Sequence, residues 1–150
     1  MPRYSVPYTF VPKGKTPAFP TRTSTPRPML RVKLQSHTNI WTAEAIVDSG
    51  ADDCVFPASF ASHLGLDIAN NTRTFIFGGA GSKNQTAYFF DLNVTFEDFV
   101  SFKISIGFTP ALEHVGIGLL GQNGFFENFT VSFDLSNRLF SLEPKNPDVT

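Results

Sequence analysis

From residue 29 to residue 142 the sequence runs as short apolar stretches, each soon interrupted by glycine, proline, asparagine or aspartate. Punctuation this frequent leaves little room for helices and favours short strands. Residues 30–34, Leu-Arg-Val-Lys-Leu, alternate as a half-buried strand does, and residues 43–47 form a second run that ends at Asp48. Residues 74–77 and 86–96 flank Gly78-Gly79-Ala80-Gly81 and read as a long hairpin with a mobile tip. Residues 99–107, 114–120, 129–134 and 138–142 complete the strands. Residues 57–64 read as a short helix: Pro57 suits a first turn, Phe60 and Leu64 share a face, and Gly65 can stop it. Residues 122–128 read as a further helical turn or two. The sum is an all-β, barrel-like domain with one or two short helices, and no repeat at solenoid periods. Fifteen of the 17 phenylalanines follow residue 55, and most phenylalanines read as core.

The first part of the chain has a different texture. Seven of the 11 prolines lie within residues 1–28, and proline fixes φ and lacks an amide proton, so this stretch is extended, neither helix nor central strand. Residues 1–43 hold seven basic side chains and no acid, whereas the remainder holds five basic and all 13 acidic ones, a balance of −8. Residues 1–26 therefore read as a basic, proline-rich arm or linker, residues 27–144 as the folded domain and residues 145–150 as a tail. Such an arm is either a disordered tail or lies over an acidic body, its own or a partner's, with Tyr4, Tyr8, Phe10 and Phe19 to bury.

Other function classes recede on composition. A chain of 150 residues makes one domain with a real core. A formal charge of −1 does not fit a basic nucleic-acid binder. One cysteine, Cys54, excludes an internal disulfide framework and a cysteine-based zinc site, and it reads as a buried, inert thiol with no activating base. No apolar run reaches the roughly 18–20 residues that span a bilayer, and residues 1–10 lack the apolar core of a signal peptide. The expectation is a cytoplasmic protein without membrane or nucleic-acid partners. The Asn-x-Thr triplets at Asn70, Asn84, Asn93 and Asn128 are then discounted as glycosylation sites.

The segment that carries chemistry is Ala45-Ile46-Val47-Asp48-Ser49-Gly50-Ala51-Asp52-Asp53. An apolar strand delivers a carboxylate, a hydroxyl and then a glycine, which lets another backbone come close. Alone, Asp-Ser-Gly more often marks a surface turn. Two further blocks follow in order, Ile76-Phe77-Gly78-Gly79-Ala80-Gly81 and Leu119-Leu120-Gly121.

Together these blocks resemble the retropepsin-like aspartic proteases, the retroviral proteases and their cellular and bacterial relatives, over residues 27–142. The resemblance implies a single-lobe acid protease barrel, active as a homodimer that cuts peptide or protein substrates without a cofactor or metal. Asp48 would be the catalytic carboxylate, Ser49 would brace the loop across the dimer, and Gly50 would accept from substrate backbone. Ala51, Asp52 and Asp53 would line the cleft. Gly78, Gly79, Ala80 and Gly81 would close over the peptide as a flap, and Ile117 and Leu119 would help form side-chain pockets. Arg27-Pro28 resembles the family's basic position near the start of the barrel, which can meet the partner's active-site loop.

An aspartic peptidase needs two facing carboxylates, and the chain has one such Asp-Ser-Gly, so the second comes from another copy. Two carboxylates about 3 Å apart share one proton; aspartic proteases are the standard illustration of this rule. The sequence departs from the viral pattern in places. Gln122 stands where those enzymes carry an arginine that pairs with the active-site loop, Ala80 is smaller than the usual flap-tip residue, and residues 110–116 are longer. These departures keep open a peptide-binding or dimerisation module without turnover on the same fold. A structural β-barrel with no carboxylate pair is the third class.

Overall fold

The computed structural model describes residues 2–37, 39–78 and 83–145. Its centre is a closed ring of six strands. In chain order these are β4 (Met29–Ser36), β5 (Asn39–Val47), β6 (Cys54–Pro57), β8 (Gln85–Phe96), β9 (Val100–Thr109) and β10 (Gly118–Leu120). They lie side by side as β4-β5-β10-β6-β9-β8, and β8 returns to β4 through Val32–Gln35 against Phe96–Asn93. β8 can close the ring because it is long. One edge pairs with β9 from Tyr88 to Phe96, while the other is shared between β4 at its end and β7 (Thr74–Phe77) at its start. β7 and β8 thus form a hairpin that projects from the barrel. One helix, α1 (Ala58–His63), follows β6.

Alternation decides which side chains enter the ring. Leu30, Val32 and Leu34 on β4, Ala43, Ala45 and Val47 on β5, Leu92, Val94 and Phe96 on β8, and Phe102, Ile104, Ile106 and Phe108 on β9 are buried at every second position. Phe96, Phe102, Phe125 and Phe129 join in aromatic contacts with ring centroids 4.9–5.3 Å apart. These contacts fasten the barrel to a second, three-stranded sheet, β1 (Tyr4–Pro7), β12 (Leu139–Pro144) and β11 (Phe129–Asp134), in that order.

The stretch expected as an arm or linker therefore contributes three strands. β1 lies along β12, with Val6 buried and Tyr4 stacked on Phe99 at 4.2 Å. β2 (Thr9–Pro12) and β3 (Ser24–Arg27) pair only with each other.

Two expectations about local structure are corrected. Residues 122–128 are a run of turns, not helix: Phe126 and Glu127 donate their amides five residues back, to Gly121 and Gln122, and Gly124 takes φ +100°. Residues 114–117 are not strand. The 3-10 turn Pro110–Leu112 runs on as Val115 and Gly116 both donate to Leu112, and Gly116 at φ +74° releases the chain only at Gly118.

Candidate active site

β5 ends at Val47, and the next four residues turn sharply. Ala51 donates its amide to the Asp48 carbonyl at 3.2 Å, and the Gly50 amide donates to Asp48 Oδ1 at 2.9 Å. Asp48 is thus half-buried, with one carboxylate oxygen held by its own loop. A Cβ at Gly50 would lie 3.2 Å from that oxygen.

β10 supports this turn from behind. It runs parallel to β5, Gly118–Leu120 against Ala45–Val47, and the Asp48 amide donates to the Leu120 carbonyl at 3.0 Å. On the other side of β5 the Val47 amide donates to Pro28 at 2.8 Å. Two small residues let β10 come this close. A Cβ at Gly118 would meet the Phe56 ring at 2.4 Å, and one at Gly121 would meet the carbonyl oxygens of Ala51 and Asp53 at 2.5 Å.

Gln122 and Asn123 then tie the loop down. Gln122 donates its backbone amide to Ala51 at 2.9 Å and its side-chain amide to the Ser49 carbonyl at 2.7 Å. Asn123 donates its backbone amide to Asp52 at 2.8 Å, and its side chain reaches Asp53 Oδ1 at 3.2 Å. An amide thus braces the loop at the place where the viral pattern has a guanidinium, by a neutral bond to backbone rather than an ion pair.

Next to the turn is an apolar pocket of about 200 Å³, lined by Ala51, Asp52, Asp53, Val55 and Leu119 below and by Phe75, Phe77, Ala87 and Phe89 of the projecting hairpin. Through Asp53, Phe75 and Phe89 it opens into a wider depression of about 700 Å³ that carries Arg73, Asp91, Lys103, Ser105 and Glu127. There Ser105 and Arg73 both donate to the Asp91 carboxylate, which holds it below the usual carboxylate range.

Of the residues singled out from sequence, Asp48, Ser49, Gly50, Ala51, Asp52 and Asp53 form one continuous loop, and Leu119 faces the same pocket as the last three. Ile117 lies elsewhere, in a groove with Trp41, Glu44 and Phe60. Gly78 directly follows β7 and is exposed, whereas Gly79, Ala80 and Gly81 lie outside the described residues. Sequence reasoning missed Val55, Phe75, Phe77, Ala87 and Phe89. The two-residue spacing of Phe75 with Phe77, and of Ala87 with Phe89, carried the signal, because those positions share a face of the hairpin.

Cys54 lies next to Asp53 but is buried, and burial pushes its thiol up to about 12. Among the described residues no three His, Cys, Asp or Glu side chains come together to hold a metal, and no helix is long and apolar enough to cross a membrane.

Comparison with known proteins accords with this geometry. Residues 34–123 match a family described as aspartyl protease. A crystal structure of a retropepsin-like aspartic protease from Rickettsia conorii superposes with a TM-score of 0.60 at 19% identity, over 94% of this chain and 92% of that one. No curated protein sequence matches.

Proposed function

The chain belongs to the aspartyl protease family and has a retropepsin-like fold, and from that premise we propose that it is a homodimeric endopeptidase that hydrolyses peptide bonds in extended polypeptides. One observation carries the reading: a half-buried Asp48 sits in a turn held from two sides, beside an apolar pocket roofed by a hairpin.

One carboxylate cannot serve as both base and acid in a single step, so Asp48 faces Asp48 of the partner subunit across a twofold axis. The pair holds one proton. The ionised member takes a proton from a water as its oxygen attacks the peptide carbonyl carbon, and the protonated member donates to the carbonyl oxygen. The tetrahedral intermediate collapses when a proton passes to the nitrogen and the C–N bond breaks, leaving a carboxylic acid and an amine.

Ser49 and Gly50 shape the loop around this pair. The peptide lies extended between Ala51–Asp53 and the hairpin of β7 and β8, which acts as the flap, and a side chain enters the apolar pocket. Residues 27–144 form the hydrolytic unit in this reading.

Replacing Asp48 by asparagine keeps the size and the amide-accepting oxygen but removes the base. Peptide-library hydrolysis is expected to fall by at least about a thousandfold, with the sedimentation coefficient unchanged. Undiminished cleavage by the variant overturns the proposal. Retention of peptides by the wild-type chain without turnover would favour a binding module. Because the pair must keep one proton, the rate is also expected to be highest in acid and to fall toward alkaline pH.

A further inference from the structure

We propose that the hairpin formed by β2 and β3 is a clasp that docks on a second copy of this chain. The proposal rests on the homodimer reading above and adds a contact surface to it.

The hairpin is folded, with β3 half-buried, but its ladder is not part of either larger sheet. Its ladder, Thr9–Pro12 against Ser24–Arg27, joins no other strand, and the loop between is ordered by reciprocal hydrogen bonds of Thr16 and Phe19. A two-stranded hairpin on its own is marginal in water and needs a surface to pack on. Phe10 and Phe19 remain 46% and 50% exposed, covered in part only by the guanidinium groups of Arg138 and Arg22. The hairpin carries Lys13, Lys15, Arg22 and Arg27 and no acid. None of the four makes an ion pair among the described residues.

Its position and charge point to the occupant. Arg27 is followed by Pro28, whose carbonyl accepts from Val47, the residue before Asp48. The root of the hairpin therefore lies beside the loop through which the twofold axis must pass. From there a four-residue ladder extends about 13 Å, enough to cross from one copy to the other. The surface it would meet belongs to a body, residues 28–150, with seven basic and 13 acidic side chains, a balance of −6. At the root its own body presents Arg138, whose carbonyl accepts from the Tyr8 amide and whose side chain covers Phe10, together with Asp134 near Tyr8.

The test compares full-length wild type with a triple variant, Lys13→Glu, Lys15→Glu and Arg22→Glu, and with Phe10→Ser/Phe19→Ser, by sedimentation equilibrium. All substituted side chains are exposed, and circular dichroism checks that the fold is kept. The dissociation constant of the dimer is expected to rise by about tenfold or more in the charge-reversed variant at low salt. The gap should shrink in about 0.5 M NaCl, where screening is strong. The phenylalanine variant should weaken the dimer at both salt concentrations.

Dissociation constants equal to wild type in both variants overturn the clasp. So does salt-dependent binding of the hairpin to duplex DNA or anionic vesicles with dimerisation unchanged. The two proposals fail separately. Hydrolysis that needs Asp48 with a dimer indifferent to the hairpin overturns only the clasp. A dimer weakened by hairpin changes but without hydrolysis supports the clasp and overturns the protease reading.

Discussion

Gly121 shows how narrowly the site is set at the level of single residues. A methyl group there would lie 2.5 Å from two backbone carbonyl oxygens of the Asp48 loop, and backbone cannot rotate away as a side chain can. Gly121→Ala is expected to cost about 1–3 kcal/mol of stability, measured by urea unfolding, and to reduce hydrolysis more than that loss explains, because the loop itself must move. Wild-type activity in a stable variant would show that β10 does not set the loop. Cys54 offers an opposite test. Its thiol, pushed up to about 12 by burial, should resist alkylation at neutral pH in the folded protein, and alkylating reagents should leave hydrolysis intact. Rapid modification with loss of activity would contradict its inert role. That Asp48, Ser49 and Gly50 share one turn was legible in sequence because the three are contiguous. The bond from Gln122 to Ser49 was not, since an amide's partner is chosen by the approach of two segments 73 positions apart.

Among the elements, the turn between β8 and β9 carries exposed ion pairs to β4, the strand whose ladder with β8 closes the barrel. Glu97 and Asp98 take φ of 49° and 59°, and Asp98 accepts from Lys33 at 2.7 Å and from Arg31 at 2.8 Å, both on the neighbouring β4. The bond from Lys33, and then the charge of Lys33 and Arg31, holds Asp98 below the ordinary carboxylate range. A carboxylate lowered by folding stabilises the fold while it is ionised. This contribution is complete above about pH 4 and fades as the pH falls through the lowered folded value. Asp98→Asn keeps a residue that tolerates the turn. It should lower the melting temperature slightly at pH 7 and leave it unchanged near pH 2; an equal loss at both would show that the charge is not the cause. The strands of the barrel were readable from two-residue alternation, and the helix at 57–64 was displaced only at its ends, to Ala58–His63. The region 114–117 was unreadable because its apolar residues continue the strand pattern while Gly116 diverts the backbone. Strands β1 to β3 were hidden by proline, which edge positions tolerate where no amide is needed: Pro7 and Pro12 end their strands, and Pro26 lies in a hairpin that pairs on one side only.

For the molecule as a whole, the sequence pattern was enough for an all-β barrel, and the proposed pairing of two copies follows from the single Asp-Ser-Gly turn that the barrel carries. Every strand end that converges on the loop comes from one chain, yet that chain supplies a single carboxylate in an Asp-Ser-Gly turn. Periodicity reports burial within a chain and not contact between chains, so the proposed meeting of two copies is not readable from it. The most direct test is a covalently linked dimer, two copies joined end to end by a flexible linker, in which only one Asp48 is replaced by asparagine. If hydrolysis needs one carboxylate from each copy, the single replacement should abolish activity as completely as the double one, while the fully wild-type linked dimer stays active. A linked dimer that keeps about half its activity with one Asp48 replaced would mean that each chain works alone, and would contradict the shared pair.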